Sequence, residues 1–239
     1  MNQITIDIGN TRTKYAVFAG SKLIAADKLE KPKDLANIIA HYEIKKAIVS
    51  SVRHLDQELK QLSVLNRFIE LTATTPIPVI NKYGTPQTLG MDRLAAVVGA
   101  CALYPNQNLL VIDAGTCITF DFIDRDQAYY GGSISPGLAM KFKAMHTFTG
   151  KLPLVEQTET DNISLIGRNT IECLQSGVFN GTVAEVDGLI VEYKKQFPDL
   201  KTLVCGGDAP FFEKNLKARI FAEPNLVLIG LNHILNYNV

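Results

Sequence analysis

The sequence predicts a duplicated α/β fold, two mixed sheets flanked by helices, on three observations. Residues 4–18, Ile-Thr-Ile-Asp-Ile-Gly-Asn-Thr-Arg-Thr-Lys-Tyr-Ala-Val-Phe, carry apolar residues on both sides of a Gly9-Asn10 interruption, the pattern of a β-hairpin with a polar turn. Residues 110–123, Leu-Val-Ile-Asp-Ala-Gly-Thr-Cys-Ile-Thr-Phe-Asp-Phe-Ile, repeat the order of strand, acid, glycine, polar turn, threonine and strand. Asp113, Gly115 and Thr119 fall at the offsets of Asp7, Gly9 and Thr13. Short apolar strands and helical patterns then follow each copy, as a fold unit used twice requires. The expected units are 1–107 and 108–239, each opening on its own acid-glycine turn.

The first turn carries chemistry. Asp7 ends a strand, Gly9 and Asn10 are expected to supply positive φ, and the Thr11 and Thr13 hydroxyls converge near the acid. Such a turn suits a phosphate beside magnesium: donors meet the phosphate oxygens and the carboxylate meets the cation, directly or through water. Two such turns predict halves that face each other across a nucleotide.

Along the chain, Lys22 to Asp27 reads as a third strand after the Gly20-Ser21 turn, and Lys33 to Tyr42 as a helix with Leu35, Ile38 and Ile39 on one face. Ala47 to Ser51 is a short buried strand with a polar end. Asp56 starts a helix carrying Leu59, Leu62 and Leu65, and Thr72 to Pro78 is a connector. A loop from Asn81 leads to a helix that ends near Tyr104, with Leu94, Val97, Val98 and Cys101 inward and Asp92 and Arg93 on its exposed first turn. Asp92 reads in two ways there. It complements the helix dipole, or it accepts a proton from a substrate hydroxyl while Arg93 holds an anionic part of the substrate.

The second half repeats the plan, with strands near 109–113, 117–123 and 128–135 and a helix over 138–147. Gly131-Gly132-Ser-Ile-Ser-Pro-Gly137 is either a bend in the sheet or a place where a ligand approaches the backbone closely. His146-Thr147 ends the helix, where a basic group also suits the dipole. Two helices are expected from Asp161 to Tyr193, broken near Phe179-Asn180-Gly181, as core or dimer-interface elements. Their apolar stripes are Ile166, Ile171, Leu174 and Val178, and Val186, Leu189 and Ile190. Leu203 to Cys205 is a last buried strand. The Gly206-Gly207-Asp208 that follows is a plain turn or a place for a base or ribose to lie on backbone.

Composition excludes several classes. Among 239 residues, 24 are basic and 24 acidic, a balance that recommends neither nucleic acid nor membrane as a partner. A strand begins within a few residues of Met1, and no apolar run approaches the roughly 18 residues of a membrane span, so a cytoplasmic protein without a leader is expected. Cys101, Cys117, Cys173 and Cys205 are widely spaced, and neither they nor His41, His54, His146 and His233 show metal-ligand spacing. No Gly-x-x-x-x-Gly-Lys-Ser/Thr loop is present and no Gly-x-Gly-x-x-Gly follows a strand. ATP binding across the two turns is the economical role.

Asp7-Ile-Gly-Asn-Thr, Gly90-Met-Asp-Arg, Asp113-Ala-Gly-Thr and Gly131-Gly-Ser-Ile-Ser-Pro-Gly137 together resemble the type III pantothenate kinases, a family of the acetate and sugar kinase, heat-shock chaperone and actin superfamily. The resemblance implies duplicated actin-like (ribonuclease H-like) domains. It implies ATP-dependent phosphorylation of pantothenate to 4′-phosphopantothenate, the first step of coenzyme A biosynthesis, with Asp92 orienting or deprotonating the hydroxyl. Tyr83, Gly90, Met91, Arg93, Ile134, His146 and Thr147 match positions around pantothenate. Thr170 matches one that reaches the partner's substrate, which implies a homodimer. ATP would meet the first turn (Asp7, Ile8, Gly9, Asn10, Thr11, Arg12, Thr13, Lys14), the second (Gly115, Thr116) and Gly206-Gly207. Asp7 would serve magnesium, and Asp121, eight residues past Asp113, would serve a monovalent cation, potassium or ammonium. Cys117 departs from the family's usual alanine. The alternatives are a sugar kinase of the same superfamily and an ATP-binding accessory or regulatory protein.

Overall fold

The computed structural model describes residues 1–31, 33–52, 62, 65–156 and 163–238. The chain forms two compact units, one of 1–107, 121–131 and 225–239, the other of 108–120 and 132–224. Residues 121–131 and 225–239 group with the first unit although they follow 107 in sequence.

The strands are β1 (Asn2–Ile8), β2 (Thr13–Ala19), β3 (Lys22–Lys28), β4 (Ile44–Ser51), β5 (Arg67–Glu70), β6 (Ile80–Asn81), β7 (Leu109–Ala114), β8 (Cys117–Ile123), β9 (Ala128–Pro136), β10 (Lys201–Cys205) and β11 (Phe221–Ala222). The helices are α1 (Asp34–His41), α2 (Met91–Leu103), α3 (Leu138–Thr147), α4 (Thr170–Gln196), α5 (Ala209–Asn215) and α6 (Leu226–Tyr237).

The first unit is built on a sheet of order β3-β2-β1-β4-β5. β1 pairs antiparallel with β2 and parallel with β4, so that Asp7 lies opposite Lys14 on one side and Ser50 on the other. Alternation sends Ile4, Ile6 and Ile8 to one face, where they pack with Val17, Ala47, Val49 and Leu35 of α1. Ala16, Phe18 and Ile48 take the other face, under Ala95 and Val98 of α2 and Leu228, Leu231 and Ile234 of α6. Polar alternates of β1 are therefore buried as well. Gln3 Nε2 donates to Asn232 Oδ1 at 2.6 Å and to Asn236 Oδ1 at 2.8 Å, and Asn232 Nδ2 donates to the Gly20 carbonyl at 3.0 Å. α2 and α6 meet at glycines: a Cβ on Gly230 would collide with the Ala95 carbonyl, and one on Gly99 with the Leu226 carbonyl.

Two expectations for this unit change or fall away. The Gly9-Asn10 turn needs no positive φ, which among the described residues occurs at Gly20, Glu43, Asn106, Gln127, Gly131 and Gly206. The loop between Ile8 and Thr13 instead closes with the Gly9 N–H donating to the Arg12 carbonyl at 3.1 Å. The helix expected from Asp56, with Leu59, lies outside the described residues, although Leu62 is buried in the α1 face and Leu65 packs on it.

The second sheet has the order β11-β10-β7-β8-β9-β6, with β10 parallel to β7 and to β11. The ends of β8 and β9 at 121–123 and 128–131 belong to the first unit, where β6 pairs parallel with β9. In the second unit Phe179 of α4 lies between Phe142 of α3 and Phe211 of α5, with ring centroids 5.4 Å away on each side.

The two helices expected between Asp161 and Tyr193 are one, the 27-residue α4; residues 161 and 162 lie outside the described part. A glycine in a helix costs about 1 kcal/mol, too little to break one held by the buried Phe179 and Thr182 on either side of Gly181. Leu174, Val178, Val186 and Ile190 are buried, whereas Ile166 and Ile171 are exposed. Asn169 caps the start, accepting from the Glu172 N–H at 3.0 Å.

Candidate active site

α2 opens on Gly90, which has extended backbone and no side chain to cap the helix. Asp92, half-buried, takes that place, and its Oδ1 accepts the Arg93 N–H at 2.8 Å. A Cβ on Gly90 would sit 2.5 Å from the same oxygen, so the glycine leaves room for the carboxylate. Both readings of Asp92 thus share one geometry: an acid at the positive end of a helix, partly open to solvent.

Arg93 departs from expectation. It does not lie on an exposed turn but is 7% exposed. Its side chain runs back to Asp121 on β8, 1% exposed, with Nε 3.1 Å from each carboxylate oxygen and Nη2 2.7 Å from Oδ1. Tyr129 on β9 donates its hydroxyl to the same Oδ1 at 2.7 Å. The Tyr83 ring lies 5.7 Å from Arg93 Cζ and stacks on Tyr129 at 6.1 Å and 15°. Gly131, at φ +95°, accommodates Tyr83: a Cβ there would stand 2.7 Å from the ring. Burial alone would lower the Arg93 guanidinium, but the hydrogen bonds and charge of Asp121 more than offset this and hold it above its ordinary value. Burial and the Asp121 charge push the Tyr129 phenol up, which keeps it a donor.

This arrangement bears on the cation assigned to Asp121. Oδ1 accepts from Nε, Nη2 and the Tyr129 hydroxyl, Oδ2 accepts from Nε, and the guanidinium already balances the charge. A monovalent cation on this carboxylate does not fit these residues. Among the described residues no group of three or more His, Cys, Asp or Glu could hold a metal ion. Asp7 differs: it is a half-buried carboxylate at the end of β1, beside the exposed Asn10 and Thr11. A hard oxygen donor in that setting fits magnesium.

The two acid-glycine turns are not copies residue by residue. Four residues, Gly9 to Arg12, separate β1 from β2, and Ile8, Thr13 and Lys14 flank them in the strands. Only Gly115 and Thr116 separate β7 from β8, with the Gly115 N–H on the Cys117 carbonyl at 2.9 Å. Equal offsets therefore put Thr13 first in β2 but Thr119 third in β8, where its hydroxyl is buried without a hydrogen-bond partner.

The glycines of the second unit largely answer to the chain itself. Gly132 clears the Phe120 carbonyl, and Gly137 clears the carbonyls of Gly115 and Thr116. Gly206, at φ +93°, clears Ala114 and Asp113, whereas Gly207 has nothing within 4 Å of a Cβ and is the open glycine of that pair.

Of the remaining expected residues, Ile134, His146, Thr147 and Thr170 are exposed in the second unit, with His146 Nδ1 2.8 Å from the Leu152 carbonyl. Tyr83, Gly90, Met91, Asp92 and Arg93 lie in the first. Tyr129 was not foreseen. The signal for it was the polar stretch Asp124-Arg125-Asp126-Gln127, a hairpin turn that closes β8 onto β9, with the Asp124 N–H on the Ala128 carbonyl at 3.1 Å.

Comparison with known proteins puts this geometry in a family. Residues 3–192 match the family model described as type III pantothenate kinase. A type III pantothenate kinase of Phocaeicola vulgatus is 46% identical over 242 residues, covering 100% of this chain and 99% of the relative. One of Flavobacterium johnsoniae is 41% identical over 245 residues, covering 99% and 98%. In structure, a ROK hexokinase of Thermus thermophilus covers 100% of this chain and 99% of its own at a TM-score of 0.54 and 13% identity, a likeness of fold alone that agrees with the expected actin-like kinase architecture. The chain belongs to the type III pantothenate kinase family.

Proposed function

We propose that this protein transfers the γ-phosphoryl group of ATP to the primary hydroxyl of pantothenate, yielding 4′-phosphopantothenate in the first step of coenzyme A biosynthesis. The observation that carries the reading is the start of α2, where Asp92 is half-open to solvent beside a side-chain-free Gly90. In this reading Asp92 orients the hydroxyl or takes its proton, and Arg93, Tyr83, Gly90 and Met91 bind the rest of the acceptor. Phosphoryl transfer passes through a loose transition state, so alignment and charge neutralisation carry most of the catalysis.

Asp7 would hold magnesium, which neutralises charge on the phosphates when bound. Residues Ile8 to Lys14 would meet the phosphates from the first turn, and Gly115 and Thr116 from the second. Gly207, the open member of its pair, is the better candidate for the adenosine side. By the family resemblance Ile134, His146 and Thr147 also bind the acceptor, and Thr170 serves a partner's substrate, so the active form is a homodimer. Exposed apolar side chains near Thr170 support that: Leu165 is 78% and Ile166 75% exposed. The enzyme is read as cytoplasmic and without nucleic-acid or membrane partners. Among the described residues no helix is long and apolar enough to cross a membrane.

The test is ATP-dependent phosphorylation of pantothenate with magnesium present, read by product mass beside a panel of hexoses. A product at the mass of 4′-phosphopantothenate, and none from the sugars, is expected. Sugar phosphorylation would move the protein to the sugar kinases. ATP binding without any phosphorylated acceptor would move it to an accessory role.

A further inference from the structure

We propose that Asp121 and Tyr129 are positioning residues that hold Arg93 side-on, so that the outer edge of its guanidinium is presented to the carboxylate of pantothenate. The inference deepens the function proposed above and rests on it.

A guanidinium offers two forks to a carboxylate, the side formed by Nε and Nη2 and the end formed by Nη1 and Nη2. Asp121 takes the side, with Nε at 3.1 Å from both oxygens and Nη2 at 2.7 Å from Oδ1. Nη1, the other half of the end fork, makes no hydrogen bond to Asp121. Four further contacts keep the group from turning. Tyr129 donates to Asp121 Oδ1 at 2.7 Å and fixes the carboxylate plane. Tyr83 covers the guanidinium with its ring 5.7 Å from Cζ. Tyr83 is itself held, because its N–H donates to Asn81 Oδ1 at 3.0 Å and its ring stacks on Tyr129 at 6.1 Å. Arg93, Asp121, Tyr129, Tyr83, Asn81 and Gly131 all lie in the first unit, and Arg93 is the neighbour of Asp92 in the first turn of α2.

An arginine held in this way binds a second carboxylate at low entropic cost, because its long side chain is already ordered. The same contacts explain what Asp121 does here. Its carboxylate is spent on an arginine, which makes acceptor recognition, rather than a bound cation, its task.

The experiment compares pantothenate with its alcohol analogue, in which the carboxylate is replaced by a hydroxymethyl group. Both keep the primary hydroxyl that is phosphorylated. The readouts are the ratio of kcat/KM for the two acceptors and the ratio of their calorimetric Kd values. In Tyr129→Phe, which retains the ion pair, the preference for the carboxylate should fall about tenfold, the loss of one hydrogen bond to a charged group. In Asp121→Asn it should fall further. A merely structural role would lower both acceptors together and leave the ratio unchanged, which would overturn the inference. An unchanged ratio with a raised half-saturating potassium concentration in Asp121→Asn would overturn it too, and would assign Asp121 to the cation. If Asp121→Asn does not fold, Tyr129→Phe decides alone. A wild-type protein that phosphorylates neither acceptor overturns the function proposed above and this inference with it.

Discussion

Arg93 and Asp121 form a buried ion pair that joins the first turn of α2 to the middle of β8, 2.7 Å between Nη2 and Oδ1. The pair ties a helix read as catalytic to a strand outside the first 107 residues, and with the β6–β9 pairing it joins 121–131 to the first unit. Breaking one side of such a pair leaves a buried charge uncompensated. Asp121→Ala is expected to lower unfolding stability by about 3–5 kcal/mol, read by urea denaturation. A loss below about 1 kcal/mol would mean that water reaches Arg93 freely.

Asp92→Asn is expected to lower kcat by roughly 100-fold or more while leaving the far-ultraviolet spectrum and Tm close to wild type. The amide oxygen retains the acceptor that meets the Arg93 N–H at 2.8 Å, so the helix start survives. A variant with near wild-type kcat would take Asp92 out of the mechanism.

The glycines make a contrast that a stability measurement resolves. Gly206→Ala places a Cβ against the Ala114 carbonyl at φ +93°, whereas Gly207→Ala meets nothing within 4 Å. The first should cost about 1–3 kcal/mol, and the second should leave Tm unchanged. If both are neutral, the backbone at Gly206 relaxes more than its contacts indicate.

Thiol reactivity should follow burial. Cys173 is exposed, whereas Cys205 is buried and burial pushes the Cys101 thiol up to about 12. The thiolate is the nucleophile, so at pH 8 Cys101 stays protonated and slow. Iodoacetamide followed by peptide mass analysis should show Cys173 alkylated first, with Cys101 and Cys205 spared in the native protein. Early alkylation of Cys101 would contradict its environment.

The proposed homodimer predicts that Leu165→Asp combined with Ile166→Asp yields a monomer by sedimentation with much reduced kinase activity. The two residues are 78% and 75% exposed, and charges there do not disturb the core of one chain. A wild-type protein that is already monomeric at micromolar concentration would remove the role given to Thr170.

Local signals made much of the fold legible. The hairpins β1–β2 and β7–β8, the strand β9 and the helices α1, α2 and α3 follow from apolar periodicity and glycine placement, which depend on neighbours a few residues away. Asp7, Asp92 and Asp113 stood out by their places at strand and helix ends, and Gly90 by the family motif it shares with Asp92. α6, β5, β6 and β11 were not foreseen, and β11 follows the strand expected to be the last. β6 is only two residues long, and α6 buries Asn232 and Gly230 among its leucines, which blurs the apolar period that marks a helix.

The sequence by itself determined the opening hairpin of each half, the two acid-glycine turns and the acid at the start of α2, since each is a property of a short stretch and its own backbone. Tertiary structure alone decided the rest. Gln3 and Thr5 alternate with the isoleucines of β1, and α6 returns from the far end of the chain to cover them, so these polar side chains found partners in Asn232 and Asn236 or none. Arg93 read as exposed, yet Asp121 and Tyr129 come to it from strands some 30 residues on. Periodicity says which residues share a face. What covers that face, and which charge meets which, is fixed only when distant segments pack and every buried donor must find an acceptor.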